Sequence, residues 1–523
     1  MAPTPTVSDS GGLFDLENMT ISHPPLAAPN AHSNGTLTSH VGERGTRMPV
    51  KLDTFADRVD PKDPALQTML KNLQANILKP HGRDFARHLF LRFTGSPRDV
   101  KAWIREFVVP RITTAHRQFE TSGPDVEGGL VCGFFLSASG YEYLGLDTQG
   151  FASDSFRKGM KDQENGVFSK IFDLDNEDPP VAEWEPPFRK DIHALLTLAD
   201  DDPAVVEKAA KAIDAGTGSL VTVVAREVGN TLRRKSEPVE HFGYFDGVSQ
   251  PIFTKRDLEK ARSQNPNFDA WNPGARLSLV LVDDPLTNAT DAFGSYLVYR
   301  KLAQDVPLFN RRVAELAQAL GVSPELAGAY TVGRFKDATP VTLSDQATAP
   351  GDFSKTNDFD FRGDEGGGRC PFHAHIRKAN PRGTTPLTSL EGEKRRRIAR
   401  RGIPYGPPMT GVADNVRVDD NPATPRGLLF LCFQANVEEQ FEFIQRTWVD
   451  NKHFPTSVLT NGLLQHNTGD DPLIGQGLDE AQRWPKKWND PSSGRKSINV
   501  ESPVKLRGGE YFFAPSLPFL SSL

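Results

Sequence analysis

Asp246 is the side chain in this sequence best housed for acid or base chemistry. It lies in the run from His241 to Pro251, HFGYFDGVSQP, with Tyr244 and Phe245 on one side and Gly247 on the other. Aromatic neighbours disfavour a charged carboxylate unless something compensates, and Gly243 and Gly247 let the backbone turn sharply or pass close to a flat ligand. Taken alone, the segment equally suits a loop aspartate that caps a turn through nearby amides. A second segment lies well downstream: Cys370 to Arg382, CPFHAHIRKANPR, carries His373 and His375 followed by three basic side chains. Neutral imidazole is a common ligand for iron, and a haem held through one histidine keeps its opposite axial face open for chemistry. The basic side chains can meet the haem propionates. An H-x-H pair also fits two ordinary polar residues of a strand.

These residues need a scaffold of some size. With 523 residues, of which 37% are hydrophobic, the chain is long enough for two domains or one large one around a substantial core. A net charge of −6 gives no global case for binding nucleic acid or an acidic membrane surface. Cys132, Cys370 and Cys432 form neither a metal-binding spacing nor a disulfide framework, which suits a reducing compartment. The N-terminal residues lack a basic start and an apolar core of signal-peptide length, and nowhere do eighteen apolar residues run together. Cytoplasm is therefore the default location, with a secreted form left open.

The polar residues 1–60 read as an arm without chemistry. A strand follows at His88 to Phe93, then a helix from Arg98 to Val108 with Trp103, Ile104, Phe107 and Val108 on one face. Leu130 to Leu136 and Asp191 to Leu198 read as strands, followed by a helix with Val205, Val206, Ala209 and Ile213 on one face and a strand at Leu220 to Ala225. This is the βαββαβ order of a ferredoxin-like α+β unit. The order recurs with strands at Ser295 to Arg300 and Leu428 to Phe433, a helix from Leu308 to Leu320, another after Val437, and Phe512 and Phe513 at the end. The expected division is 61–272 and 273–523: two ferredoxin-like halves with antiparallel sheets enclosing a ligand pocket between them. Asp147 to Pro187 and Ser344 to Cys370 read as long loops.

The ordered motifs resemble those of the dye-decolorising peroxidase family. Gly243 to Gly247 matches its GxxDG motif, and CPFHAHIRKANPR matches its proximal haem segment. IARRGIPYG (Ile398 to Gly406), the run from Arg426 to Trp448, DDPLIGQ (Asp470 to Gln476), GGEYFFAPS (Gly508 to Ser516) and Leu73 to Phe93 are also similar, so the resemblance extends from Leu73 to the C-terminus. It implies one haem b, iron protoporphyrin IX, per chain. It also implies that hydrogen peroxide oxidises small or bulky aromatic donors, such as phenols and dyes, through a ferryl intermediate.

By the same resemblance Asp246 is the proton shuttle and Arg400 the charge stabiliser. Arg400 is chosen over Arg401 because it stands three residues before Ile403, and Lys394 to Arg397 of the same basic run are expected in water. His375 is the axial ligand, Asp471 accepts its other N–H, and His373 is a supporting or surface residue. Leu428 and Phe430, on one face of a strand, line the distal side. His241 and Arg382 are propionate contacts. Trp448 and Tyr405 are candidate surface electron relays, with packing as the competing reading. Two other classes remain: a haem carrier or sensor on the same fold, which has no need of both Asp246 and Arg400, and a nucleic-acid binder using Lys394 to Arg401, which the acidic balance opposes.

Overall fold

The computed structural model describes residues 49–121, 128–162, 178–348, 356–385, 389–455, 468–475 and 481–523, with the backbone of short strands at 459–460 and 463–464. Residues 1–48, Gln476 and the central parts of both long loops lie outside the described residues. Met48–Leu523 forms a single unit.

Eight strands build its centre: β1 (Phe85–Phe93), β2 (Val131–Leu136), β3 (Ala194–Asp200), β4 (Val221–Asn230), β5 (Phe293–Gln304), β6 (Ile403–Tyr405), β7 (Gly427–Gln434) and β8 (Val504–Ala514). The first four pair in the order β4-β1-β3-β2 and the last four in the order β6-β7-β5-β8, all antiparallel. Both orders are ferredoxin-like. Single pairs, Phe513 with Leu136 and Tyr405 with Gly229, join the two sheets into a closed eight-stranded ring. Closure removes most exposed strand edge.

Helices cover the outside. Helix α1 (Pro97–Trp103) runs on as a π-helical turn through Val108, so the expected apolar face survives with Trp103, Ile104 and Val108 buried. Ser96 caps it by accepting from Asp99 N–H. Helix α2 (Pro203–Thr217) buries Val206, Ala210 and Ile213, whereas Val205 is 38% exposed and does not belong to the inner face. Helix α3 is Val306–Leu320, α4 is Pro324–Val332, α5 is the short His375–Ala379 and α6 is Leu390–Arg396. The helix expected after Val437 is π-helical over Val437–Val449.

Three expectations need correction. The space between the sheets holds side chains, not a ligand pocket: Phe90 of β1 meets Tyr299 of β5 at 4.8 Å, Phe188 at 5.1 Å and Phe512 of β8 at 6.5 Å between ring centroids. Rings so packed leave no room for a flat macrocycle. The arm ends before residue 60, because Ala56 and Val59 are fully buried and Ala56 N–H donates to Ala275 O. The start of the first long loop is regular and packed, with a short helix at Asp154–Lys158 and with Phe151 and Phe156 buried among Tyr141, Tyr296 and Phe513.

The core also encloses imidazoles. His88 sits edge-on to Tyr299 at 5.7 Å, and burial pushes its pKa down to about 3. His193 accepts from Phe93 N–H through Nδ1, and burial lowers it to about 4. The unfolded chain takes up these protons near pH 6.5, whereas the folded chain refuses them. This contribution to stability is therefore complete above that pH and is lost as pH falls toward 4 and then 3. The expected slope below pH 6 is about 1.4 kcal/mol per pH unit for each histidine. Melting temperatures from pH 7 to pH 5 should decline less steeply in His88→Gln than in the parent chain.

Candidate active site

Strand β7 separates the site from the core by its pleat. Leu429 and Leu431 point into the barrel and are 0% and 2% exposed, while Leu428 and Phe430 lie on the outer face and are partly exposed. The strand Ala399–Arg400 pairs with β7 so that Arg400 is opposite Cys432, which places Arg400 on the same outer face as Leu428 and Phe430. Arg401 points the other way. It spends Nε on Asn76 O at 2.7 Å and Nη2 on Ile77 O at 2.8 Å, so it supports the barrel and has no part in the site.

The loop carrying Asp246 is fixed from below. Glu240 accepts from Phe242 N–H at 2.9 Å, Tyr244 N–H at 3.0 Å and Gln304 Nε2 at 2.6 Å. Burial raises the Glu240 pKa, against the pull of these donors, and Asp246 nearby adds to the rise. Gly243 and Gly247 adopt φ of 86° and 72°, the left-handed turns that glycine tolerates. Asp246 is partly buried and its carboxylate accepts from Gly247 N–H at 2.6 Å. Arg400 does not bond to it. Its guanidinium donates to Ser249 O at 2.7 Å, and its backbone N–H donates to Gln250 Oε1 at 3.1 Å. One loop thus carries Asp246 and seats Arg400. Ser249 and Gln250 escaped sequence reasoning, although they directly follow the Asp246 motif.

His375 opens α5. Its Nδ1 faces Asp471 Oδ2 at 2.7 Å; the Asp471 side chain is fully buried while that of His375 is 25% exposed. The carboxylate also accepts from Leu473 and Ile474 N–H. With Nδ1–H committed, the Nε2 lone pair is the one left for a ligand. His373 differs: it is 1% exposed, its Nδ1 faces Thr468 O and its ring is held edge-on to Trp484 at 4.1 Å. It is an interior residue, so the surface alternative for it fails.

The neighbouring cations pin α5 in place. Arg377 is fully buried, with Nη1 on Asp364 Oδ2 at 2.9 Å and the faces of Phe361 and Phe372 each 4.7 Å away. Asp364 also gathers the N–H groups of Gly368, Arg369 and Cys370. Lys378 donates to Asn451 O. Neither head group is free for a propionate. Cys370 is buried and protonated, its thiol pushed up to about 12 mainly by desolvation.

Arg382 takes a φ of 46°, unusual outside glycine, and is held there by Asn357 and Phe359 carbonyls, Asn357 Oδ1 and Ser249 Oγ. Arg334, unnoticed in the sequence, donates to Ala338 and Thr356 carbonyls. Burial lowers the pKa of both arginines, with the charge of Arg400 adding to the effect on Arg334 and that of Arg334 adding to the effect on Arg382. Among the described residues none of the three guanidiniums has an ion-pair partner. His241 is fully buried, its Nε2 faces Tyr405 O at 2.9 Å, its Nδ1 has no partner among the described residues, and burial lowers its pKa to about 4.

Neither relay candidate is at the surface. Trp448 is 3% exposed, stacked on Phe454 at 5.3 Å, and Tyr405 is 6% exposed beneath Lys301. Arg397 is not in water either, since it donates to Pro273 and Gly274 carbonyls.

A closed barrel of two ferredoxin-like sheets, with helices around it and a carboxylate-backed imidazole opening α5, is the frame that carries these residues. No family model matches the chain. A curated relative, the multifunctional dye peroxidase DyP2 of Amycolatopsis sp., is 37% identical over 499 residues, covering 91% of this chain and 100% of the relative. The dye-decolorizing peroxidase msp1 of Mycetinis scorodonius is 32% identical over 73% of this chain and 74% of its own. The crystal structure of a DyP-type peroxidase from Anabaena sp. superposes with a TM-score of 0.80 at 40% identity, over 90% of this chain and 98% of that one. The chain belongs to the dye-decolorising peroxidase family, and it is a hydrogen peroxide-dependent oxidoreductase with the family's α+β fold. Among the described residues no helix is long and apolar enough to cross a membrane.

Removing the acidic partner of Arg377 leaves a buried cation unpaired. Asp364→Ala is expected to cost roughly 3–5 kcal/mol. Its urea midpoint should fall well below that of the parent chain.

Proposed function

We propose that the chain binds one haem b per chain through His375 and uses it to reduce hydrogen peroxide at the expense of organic donors such as phenols and bulky dyes. The observation that carries this reading is the His375–Asp471 pair, with Nδ1 committed at 2.7 Å and Nε2 free to ligate iron. The cluster of Arg334, Arg382 and Arg400 supports it independently. Three mutually repelling guanidiniums without a carboxylate partner suit a ligand bearing two carboxylates, as iron protoporphyrin IX does.

When bound, the haem supplies the two-electron chemistry of peroxide cleavage. The protein's part is protonic and electrostatic. Asp246, partly buried and bonded through one oxygen only to Gly247 N–H, is the group that takes a proton from the near peroxide oxygen and delivers it to the far one. Arg400, held on Ser249 and Gln250 at the end of the same loop, supplies positive charge to the departing hydroxide. Leu428 and Phe430 give the outer face of β7 an apolar wall that limits water. Asp471 holds the imidazole orientation and strengthens its donation to iron.

The absorption spectrum of haem-loaded protein, taken before and after one equivalent of peroxide and again after a phenol, tests the reading. A histidine-ligated ferric band that changes with peroxide and returns with phenol is the expected result, and a band indifferent to peroxide would overturn it. Asp246→Asn should retain haem and slow the peroxide step by roughly 10²–10⁴-fold. His375→Ala should lose haem, and Asp471→Asn should weaken binding or turnover by about 10–100-fold.

A further inference from the structure

All eight tyrosines of the chain fall within the described residues, and the surroundings of their hydroxyls differ. Oxidising a tyrosine by one electron makes its phenol a strong acid, so a buried tyrosine gives up an electron readily only where a base can take the proton. Tyr141, Tyr299 and Tyr330 have buried hydroxyls with no partner. Tyr143 donates to the Gly95 carbonyl, which is no base, and Tyr296 accepts from Ser153 N–H. Among the described residues the hydroxyls of Tyr244 and Tyr405 have no hydrogen-bond partner. Tyr511 alone among them donates to a carboxylate, Glu442 Oε1, at 2.7 Å.

The pair is built in. Tyr511 is 6% exposed and Glu442 4% exposed. The second carboxylate oxygen accepts from Ser155 Oγ at 2.9 Å and stands 3.7 Å from Arg446 Nη1. Burial raises the Glu442 pKa, and Arg446, Tyr511 and Ser155 draw it back. Strand register places the pair on the site's side of the barrel. Tyr511 is directly opposite Val298, Val298 opposite Cys432, and Cys432 opposite Arg400, so all four side chains leave the same outer face. Three strand spacings put Tyr511 about 15 Å from Arg400. Phe441 is 6.1 Å from the Phe430 ring of the apolar wall and lines the same cleft as Tyr511 and Arg300.

We propose that Tyr511 is an internal electron donor to the peroxide-oxidised enzyme, with Glu442 as its proton acceptor. One electron leaves the phenol for the oxidised cofactor as the O–H bond breaks. The proton crosses to Glu442, leaving a neutral tyrosyl radical, and an organic donor that gives back an electron draws the proton back to the phenol oxygen. The inference rests on the peroxidase reading above, and it moves the relay from Tyr405 to a residue with a base in place.

Freeze-quenched electron paramagnetic resonance of the haem-loaded full chain after one equivalent of peroxide tests it. A tyrosyl signal that narrows with ring-deuterated tyrosine is expected in the parent chain and in Tyr405→Phe. It should vanish in Tyr511→Phe and fall at least ten-fold in Glu442→Gln, which removes the base and keeps the tyrosine. Unchanged haem absorption in each variant confirms an intact fold. Peroxide consumption with a signal indifferent to both Tyr511→Phe and Glu442→Gln would overturn this inference alone. A parent enzyme whose haem band ignores peroxide would overturn both it and the function on which it rests.

Discussion

The eight-residue pairing of β5 with β7, from Gly427 opposite Ala303 to Gln434 opposite Tyr296, runs through the middle of the second sheet and sets which side of each of these strands is wet. Once Leu429 and Leu431 are committed to the interior, Leu428 and Phe430 must face outward, and the pairing of Cys432 with Arg400 sends that guanidinium outward too. A slip of one residue would exchange the two sets and bring Arg401 to the outer face in place of Arg400. The interior is so filled with aromatic rings that the register has little freedom. Core packing and site geometry are therefore one constraint expressed on two faces of a sheet.

The outer face is then completed from loops, each tied down by a buried acid. Glu240 holds the loop of Asp246, Asp364 holds the turn before α5 through Arg377, and Asp471 holds His375 itself. A loop carries its functional side chain reliably only if its backbone polar groups are satisfied. Each of these carboxylates does so by gathering two or more N–H groups.

Much of this was legible in the sequence. Periodicity located the main strands and helices of both halves, since β-strand alternation and helical stripes are local patterns, and the motifs singled out Asp246, Arg400, His375 and Asp471, of which the last two form a hydrogen-bonded pair. What was not legible depended on partners distant in the chain. Nothing local tells that Arg377 and Lys378 are spent on Asp364 and Asn451, that His241 is turned to the carbonyl of Tyr405, or that the sheets join edge to edge and fill the space where a ligand was expected. Trp448 and Tyr405 were placed at the surface because residue type says little about depth. Arg334 and Ser249 carried no spacing signal at all.

Ser249 is used twice: its hydroxyl accepts from Arg382, seven residues past the imidazole, and its carbonyl accepts from Arg400. In the proposed reading, the segment that would hold the cofactor and the cation that would meet peroxide thus hang on a single residue. For evolution this is a shared gear: a lineage that reshapes the loop to admit a different donor also disturbs cofactor retention. Selection on the two properties must then proceed together, and variation in donor preference is more readily accommodated away from this joint.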